Sequence, residues 1–502
     1  MDTIKKPQKV LIIGGGSAGA VLANRLSARA RREVLLIEAG PAYSAQEFPP
    51  RILDSNLLGA DTGSDWGFQS VPGRVGHPVS LFRGKSLGGS SAVNGSVMVR
   101  ALPSDFERWA ESGLTGWSWA EVLLFYKKLE TSNLGESEWH GATGPMPVNQ
   151  LSREEISAMQ RAFIDSAMAE GIRVTEDFNG GDPQGVAPYP MNIAEGVRVN
   201  TAMAYLTDEV RSRGNLSILG DALVDRVLFD GTVATGVRLA DGREFFADQV
   251  ILSAGSYGTA AILMRSGIGP ANELSALGLE VLADLPVGRR VYDHPIFYTA
   301  FAAVPESLGA QVPVIGAKAW VKSSQAAPGE LDLHLTATHL IDPKLSPTGA
   351  AFVIAVALVR PKSSGTVTLV STDPAVAPLI DLNWLAEEED RRRLLEGIRL
   401  AQRIGAGEPL SRMISAEISP GPGHSDAEVI ETVFETLDTY HHPTSSAPMG
   451  PASDPFAVVD NSGAVHGIQG LRVIDASIFP SVTQAATNPT VIMVAEKIAE
   501  QL

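Results

Sequence analysis

The chain has 502 residues, a length that predicts two domains rather than one core. With 44% hydrophobic and 19% charged residues, it has the composition of a folded globular protein, not a disordered one. The absence of Cys excludes disulfides, thiolate metal sites, iron–sulfur clusters and Cys nucleophiles, and the net charge of −17 argues against nucleic acid or an anionic membrane surface as a partner.

The opening MDTIKKPQKV has no apolar leader core and no cleavage site. It runs into the apolar residues 10–13, then GGGSAGAVLANRLS, then VLLIEAG, a pattern that predicts strand, glycine turn, helix and strand. Residues 41–110 are rich in Gly, Pro and Ser with little periodicity and read as a long functional loop region. Residues 105–130 read as helical, with Trp109, Trp117, Trp119, Leu123 and Tyr126 as core candidates. Residues 216–237 read as strands, with turns at Asp230-Gly231 and Asp241-Gly242, and 249–254 as a further buried strand. Residues 296–440 change character, with alternating strands (LDLHLTATHL, AAFVIAVALV, GTVTLVS) and a charged helix around 387–404. The strand LRVIDAS and a helix from about Pro489 follow. The longest apolar run, 350–359, is about half the roughly 20 residues a membrane helix needs, so a cytoplasmic chain without a transmembrane segment is expected.

Gly14, Gly16 and Gly19 are spaced G-x-G-x-x-G, and Glu38 follows 24 positions after Gly14. Gly14 permits the tight turn, Gly16 a close approach to a pyrophosphate, and Gly19 the packing of helix on strand. Glu38 ends the second strand, where a carboxylate can hold both hydroxyls of a ribose. This predicts a dinucleotide site without separating NAD from FAD. The stretch 83–100, RGKSLGGSSAVNGSVMVR, has too many small residues for core packing. It suits a backbone wrapped around a flat cofactor ring, and Leu87, Val93, Val97 and Val99 are poorly placed for a flexible linker.

Several other features have plain structural readings. The acidic run at 387–390 followed by three Arg reads as a solvated helix face. Asn488 before Pro489 reads as a helix N-cap with Pro at the first helical position. Ser445 and Ser446 do not sit in a G-x-S-x-G elbow, which excludes hydrolase chemistry of that kind. His334 and His339 alternate with apolar residues, and one of them is a candidate for the substrate pocket.

These motifs together resemble the glucose–methanol–choline (GMC) flavoprotein oxidoreductases over essentially the whole chain. Besides the segments above, the resemblance includes SDWGFQS, LPSDFERW, HGATGPMPV, GVRVNTAMAYL, SAGSYGTAAILMRSGIGP, LPVGRRVYDHP, HHPTSSAPMG and GLRVIDASIFPSVTQAATNPTVIMVAEKIAE. It implies an α/β (α+β overall) fold, a Rossmann-like FAD-binding domain plus a substrate domain built on an antiparallel sheet with helices. The expected FAD domain is discontinuous, at 1–150, 195–300 and 441–502, and the substrate domain takes 151–194 and 301–440.

The resemblance further implies oxidation of an alcohol to an aldehyde or ketone, with O2 or another electron acceptor reoxidising FAD, and no metal. Carried over by motif, Gly14, Gly16, Ser17, Ala18, Gly19, Glu38 and Ala39 hold the ADP half. Arg83, Gly88, Gly89, Ser90, Asn94 and Gly95 lie along the flavin loop, and Val224 contacts adenine through its backbone. Ala254, Gly255, Asp475 and Ala476 approach the ribityl and pyrophosphate, and Ala486, Asn488, Pro489 and Thr490 the flavin end. Asp293-His294-Pro295 matches a family motif and is expected to be structural. Val93 stands where some members link flavin through His, so FAD is expected to be non-covalent.

Alcohol oxidation wants a base of near-neutral pKa, and His fits. His442, in register with Pro443 and with Met449-Gly450, is the base candidate, and His441 its neighbour. The motif departs from the family in two places. Ser445 and Ser446 replace Gly-Thr, and the second active-site position, usually His or Asn, falls on Ala486. Ala486 leaves open an alternative, a non-redox FAD-containing lyase of the hydroxynitrile lyase type.

Overall fold

The computed structural model describes residues 7–502; the leader-free reading of residues 1–6 lies outside them. The strand Gln8–Ile13 is buried over its last four residues, as expected for a strand covered on both faces. It pairs in parallel with Arg32–Ile37 on one side and Gln249–Leu252 on the other. Leu216–Leu219 and Leu471–Val473 extend the sheet at its two edges, also in parallel. The chain leaves Gln8–Ile13 through the helix Ser17–Ser27 toward one edge, and later returns to build the other edge. The strand order therefore reverses beside Gln8–Ile13, the place where open parallel sheets bind ligands.

The second sheet has seven strands and is antiparallel. Its order is Ile414–Ser419, Pro295–Ala303, Ala351–Leu358, Leu333–Thr338, Ile315–Val321 and Gly185–Pro188, with Asp438–Thr439 also pairing to Pro295–Ala303. The helices Ala158–Ala169 and Glu388–Ala406 cover one face. Gly397 allows a close approach: a Cβ there would lie 2.6 Å from Val356 Cγ1. Leu333, Leu335 and Ala337 alternate with His334, Thr336 and Thr338, the three that face the cavity on the other side. The strand Pro295–Ala303 runs across residue 300, where the sequence reading parts the two domains.

Three local expectations change. The 105–130 stretch is two helices, Pro103–Glu111 and Trp119–Leu129, with Leu114 and Trp117 buried in the link between them. GTVTLVS supplies the strand Thr366–Thr368, which pairs with Leu379–Asp381 outside the large sheet. The charged helix is not simply a solvated face. Asp390 and Arg393 are buried: Asp390 accepts the Ser363 N–H at 2.7 Å and the Arg393 guanidinium at 2.7 Å, and Arg393 reaches Asp332 at 3.4 Å. Spacing of three and four residues places both on the face that carries Leu394 and Gly397 to the sheet. Among the described residues no helix is long and apolar enough to cross a membrane.

Candidate active site

A cavity of about 540 Å³ runs from the glycine turn of the parallel sheet to the open face of the antiparallel sheet. Backbone builds its first wall. Gly14 has φ +97°, and a Cβ there would lie 2.5 Å from the Ser253 carbonyl oxygen. The helix Ser17–Ser27 begins with Gly16 and has no side-chain cap, and Gly16, Ser17 and Ala18 line the cavity. Its free amides and positive dipole end are thus offered to an anion.

Glu38 and Ala39 line the same end. The Glu38 carboxylate accepts the Gly15 N–H at 2.8 Å and the Gly40 N–H at 2.9 Å, so it braces the glycine turn while facing the cavity. Burial pushes its pKa up to about 7, against those backbone hydrogen bonds.

The 83–100 loop lies flat on this turn. A Cβ on Gly89 would lie 2.6 Å from Gly16 Cα, and one on Gly84 2.1 Å from the Gly89 carbonyl. Arg83, Gly89, Ser90, Val93, Asn94 and Gly95 line the cavity, as do Val224, Ala254, Gly255, Asp475 and Ala476. The Asp475 side chain is occupied within the protein, accepting the Gly255 N–H at 2.9 Å, Thr259 Oγ1 at 2.6 Å and the Ser477 N–H at 2.8 Å.

Four residues from the carried-over motifs stand off the wall. Gly19 packs the helix on its strand, where a Cβ would lie 1.9 Å from the Gly14 carbonyl oxygen. Gly88, at φ +93°, is backed by Asn200. Pro489 is buried in the last helix, and Thr490 hydrogen-bonds Tyr126 Oη at 2.7 Å.

The N-cap reading of Asn488 is corrected. The helix is Thr487–Gln501, flanked by Ala486 without a side-chain cap, and Asn488 lies within its first turn. Asn488 Oδ1 accepts from Ser17 Oγ at 2.7 Å instead, tying the last helix to the first on the cavity wall. Proline is tolerated here because first-turn N–H groups have no intrahelical acceptor.

Four buried polar atoms on the wall have no partner among the described residues: Arg83 Nε, Tyr257 Oη and His441 Nδ1 toward the glycine turn and flavin loop, and His334 Nδ1 on the antiparallel sheet. A flat ring system rich in hydrogen-bonding atoms would offer partners to the first three, and the uncapped helix would accept a pyrophosphate. The residues present fit FAD.

Both histidines of the tandem line the cavity, from different directions. The His441 ring lies 5.1 Å from Phe82, and the His442 ring 4.7 Å from Tyr440. His441 takes φ +64°, an uncommon conformation for a non-glycine residue. Three contacts hold it: Thr439 Oγ1 accepts the His441 N–H at 2.8 Å, Asp293 Oδ1 accepts the His442 N–H at 2.7 Å, and Arg83 Nη2 donates to the His441 carbonyl at 2.8 Å. Asp293 also accepts the His294 N–H and the Thr439 hydroxyl, and burial pushes its pKa up to about 6. Asp293 is thus structural, and what it positions is the histidine pair.

His294 does more than support the turn. Its Nδ1 lies 3.0 Å from His442 Nδ1. One of these nitrogens donates and the other accepts. With His442 Nδ1–H as donor, His442 Nε2 keeps its lone pair. Burial, with His294, Arg83 and His441 nearby, holds the His442 pKa well below the usual imidazole range. His334 is on the cavity wall, whereas His339 leaves it to hydrogen-bond Ser157 Oγ at 2.9 Å.

The sequence reading missed the side chains on the second wall, among them Tyr189, Tyr298, Lys318, Thr336 and Tyr440. The signal was the single Lys in the apolar strand IGAKAWV, on the same face as His334.

Relatives match almost the whole chain. The "Alcohol dehydrogenase [acceptor]" of Pseudomonas putida is 33% identical, covering 98% of this chain and 94% of its own length. An "Oxygen-dependent choline dehydrogenase" of Rhizobium etli is 35% identical over 98% of this chain and 95% of its own. The crystal structure of pyridoxine 4-oxidase from Mesorbium loti superposes with a TM-score of 0.90 at 32% identity, covering 98% of this chain and 99% of that one. Residues 8–296 match the N-terminal GMC oxidoreductase family and residues 361–495 its C-terminal counterpart. From first strand to last helix, the chain belongs to the GMC oxidoreductase family, whose cofactor is FAD.

Proposed function

We propose that the protein oxidises a small-molecule alcohol to an aldehyde or ketone, with His442 Nε2 as the base that takes the hydroxyl proton. The observation that carries this is the imidazole pair, His442 Nδ1 against His294 Nδ1 at 3.0 Å on the wall of the cavity that fits FAD. Bound FAD supplies the hydride acceptor for the carbon that bears the hydroxyl.

The protein's own residues do the rest. The uncapped helix at Gly16 and the amides of the glycine turn hold the pyrophosphate. Glu38 braces that turn and faces the ribose. Arg83, Tyr257 and His441 are the donors available to the ring system. Asp293, Thr439 and Arg83 fix the backbone of the tandem, and His294 Nδ1 holds the His442 ring. Burial keeps the imidazole neutral, with its lone pair free to accept, while making it a weaker base than an exposed histidine.

The two sheets support a division into an FAD domain and a substrate domain. Val93 offers no nucleophile on the cavity wall, in keeping with non-covalent FAD. The acidic chain, at net charge −17, suits a cytoplasmic enzyme without a nucleic-acid partner. The electron acceptor is O2 or a second redox partner, and oxygen uptake against dye reduction tells them apart. The relatives named above are redox enzymes by name and lend the lyase alternative no support.

The test is an anaerobic panel of alcohols watched by flavin absorbance. Bleaching by one or more alcohols is the expected result, and an unreduced flavin throughout the panel overturns the reading. Acid precipitation should release all the yellow colour into the supernatant.

A further inference from the structure

The antiparallel wall of the cavity contains a feature that alcohol oxidation does not use. Lys318 lies in the middle of the strand Ile315–Val321, is fully buried and lines the cavity. No carboxylate pairs with it among the described residues. Its Nζ meets His334 Nε2 at 3.5 Å and lies over three aromatic rings: Trp320 at 3.8 Å, Phe178 at 4.5 Å and Tyr189 at 5.7 Å. Buried cations are ordinarily paired with an anion, because an isolated one is expensive to desolvate; burial accordingly pushes the Lys318 pKa well down, and an anion beside the amine is what would hold it protonated. An aromatic box offsets part of that penalty but supplies no counter-charge.

The surroundings connect this amine to the base. Thr336 is directly opposite Lys318 across the strand pair. Its Oγ1 lies 3.4 Å from Tyr440 Oη, and the Tyr440 ring lies 4.7 Å from that of His442. Lys318 and His442 therefore face one cavity with Tyr440 between them. The carboxylate that lines this part of the cavity, Asp438, pairs with the far side of Pro295–Ala303. That is four strands from Lys318, about 19 Å at ~4.8 Å per strand.

We propose that Lys318, with His334, is the recognition site for a carboxylate at the far end of the alcohol. The substrate is then a hydroxy acid or a hydroxymethyl aromatic acid, with its hydroxyl at His442 and its carboxylate at Lys318. The proposal rests on the alcohol-oxidation reading and adds the substrate class. It also sets this chain apart from a choline oxidiser, because a quaternary ammonium can neither accept a hydrogen bond from the amine nor supply its counter-charge.

The experiment compares 4-(hydroxymethyl)benzoate, 1,4-benzenedimethanol and choline as anaerobic reductants of the flavin-loaded wild type and of Lys318→Met, which keeps the length of the stem. Wild type should half-saturate with the benzoate at a concentration at least tenfold below that for the neutral diol, and choline should not bleach the flavin. In Lys318→Met the ratio between the first two should collapse toward one. The proposal is overturned if wild type shows no preference, if choline is as good as the benzoate, or if Lys318→Met retains the preference. Should the variant not fold, the wild-type comparison alone decides. Should no alcohol bleach the flavin, the oxidation reading is what has failed. Terephthalate titrated against the oxidised flavin spectrum then decides on Lys318. Binding lost in the variant supports the site, and absent or equal binding refutes it.

Discussion

The two walls of the cavity are built by opposite means. On the parallel-sheet side the chain presents backbone: Gly14, Gly16 and Gly89 have removed their side chains so that amides and a helix end reach the ligand. On the antiparallel-sheet side it presents side chains, with Lys318, His334, Thr336 and Tyr298 standing at alternate positions over a floor of small residues such as Ala355. A backbone wall serves a ligand that never changes. A side-chain wall can be rewritten one residue at a time for a new substrate, leaving the sheet that supports it intact. The histidine tandem stands at the seam, held by Asp293 next to the antiparallel sheet and by Arg83 from the flavin loop.

Substitutions should expose this contrast, and the backbone wall should fail first. Gly19→Val would push side-chain atoms into the Gly14 carbonyl, where even a Cβ lies 1.9 Å away. The expected result is protein without bound flavin, read from the 450 nm absorbance of the purified product. At the seam, His442→Ala should slow flavin reduction by roughly 10²–10⁴, the range for a positioned acid–base group, with flavin content unchanged. Near wild-type reduction would remove His442 from its role.

Glu38→Ala deletes an acceptor of two backbone hydrogen bonds that also lines the cavity. With about 1.5–3 kcal/mol for a hydrogen bond to a charged group, FAD affinity should fall roughly 10- to 150-fold by titration of the apoprotein. His441→Ala should slow reduction by less than ~10-fold, since its backbone rather than its ring is what Arg83 and Thr439 hold. If it is the more damaging of the two histidine changes, the assignments exchange.

The smallest effect concerns pH. The base must be neutral to act, and burial lowers the His442 pKa, so activity is present above that lowered pKa and lost as pH falls through it. The reductive rate should be flat above pH ~6.5, the ordinary imidazole value, with one break on the acid side. A rate still rising between pH 7 and 9 would contradict a depressed base.

The backbone wall was legible because glycine spacing is a geometric requirement written directly in the residues, and Gly14, Gly19 and Gly89 sit where the turn needs them. The side-chain wall was only half legible. His334 shows as a polar residue in an alternating strand, but nothing in IGAKAWV says that its Lys lies in an aromatic box assembled from two other segments, through Phe178 and Tyr189. Asn488 was misread because a cap and a cavity residue look alike before Pro, and only the hydrogen bond from Ser17, 471 positions away, separates them. The burial of Asp390 and Arg393 was hidden for the same reason, since a charged run looks solvated until Asp332 and Ser363 supply partners from elsewhere. The role of Asp293 needed coordinates too, because it acts on a turn 149 residues later.

The strand order of the parallel sheet has a consequence for how the protein is made. Its central strand, Gln8–Ile13, is translated long before the edge strand Leu471–Val473 and before Thr487–Gln501, on which the helix after the first strand docks, with Arg25 donating to Glu496 at 2.6 Å. The cavity therefore cannot close until Thr487–Gln501 has left the ribosome. Contacts of such sequence separation make for slow assembly and a nascent chain with unpaired strand edges. Flavin capture waits on that helix, and a ribosome that stops short of it releases a chain with Ser17–Ser27 bare.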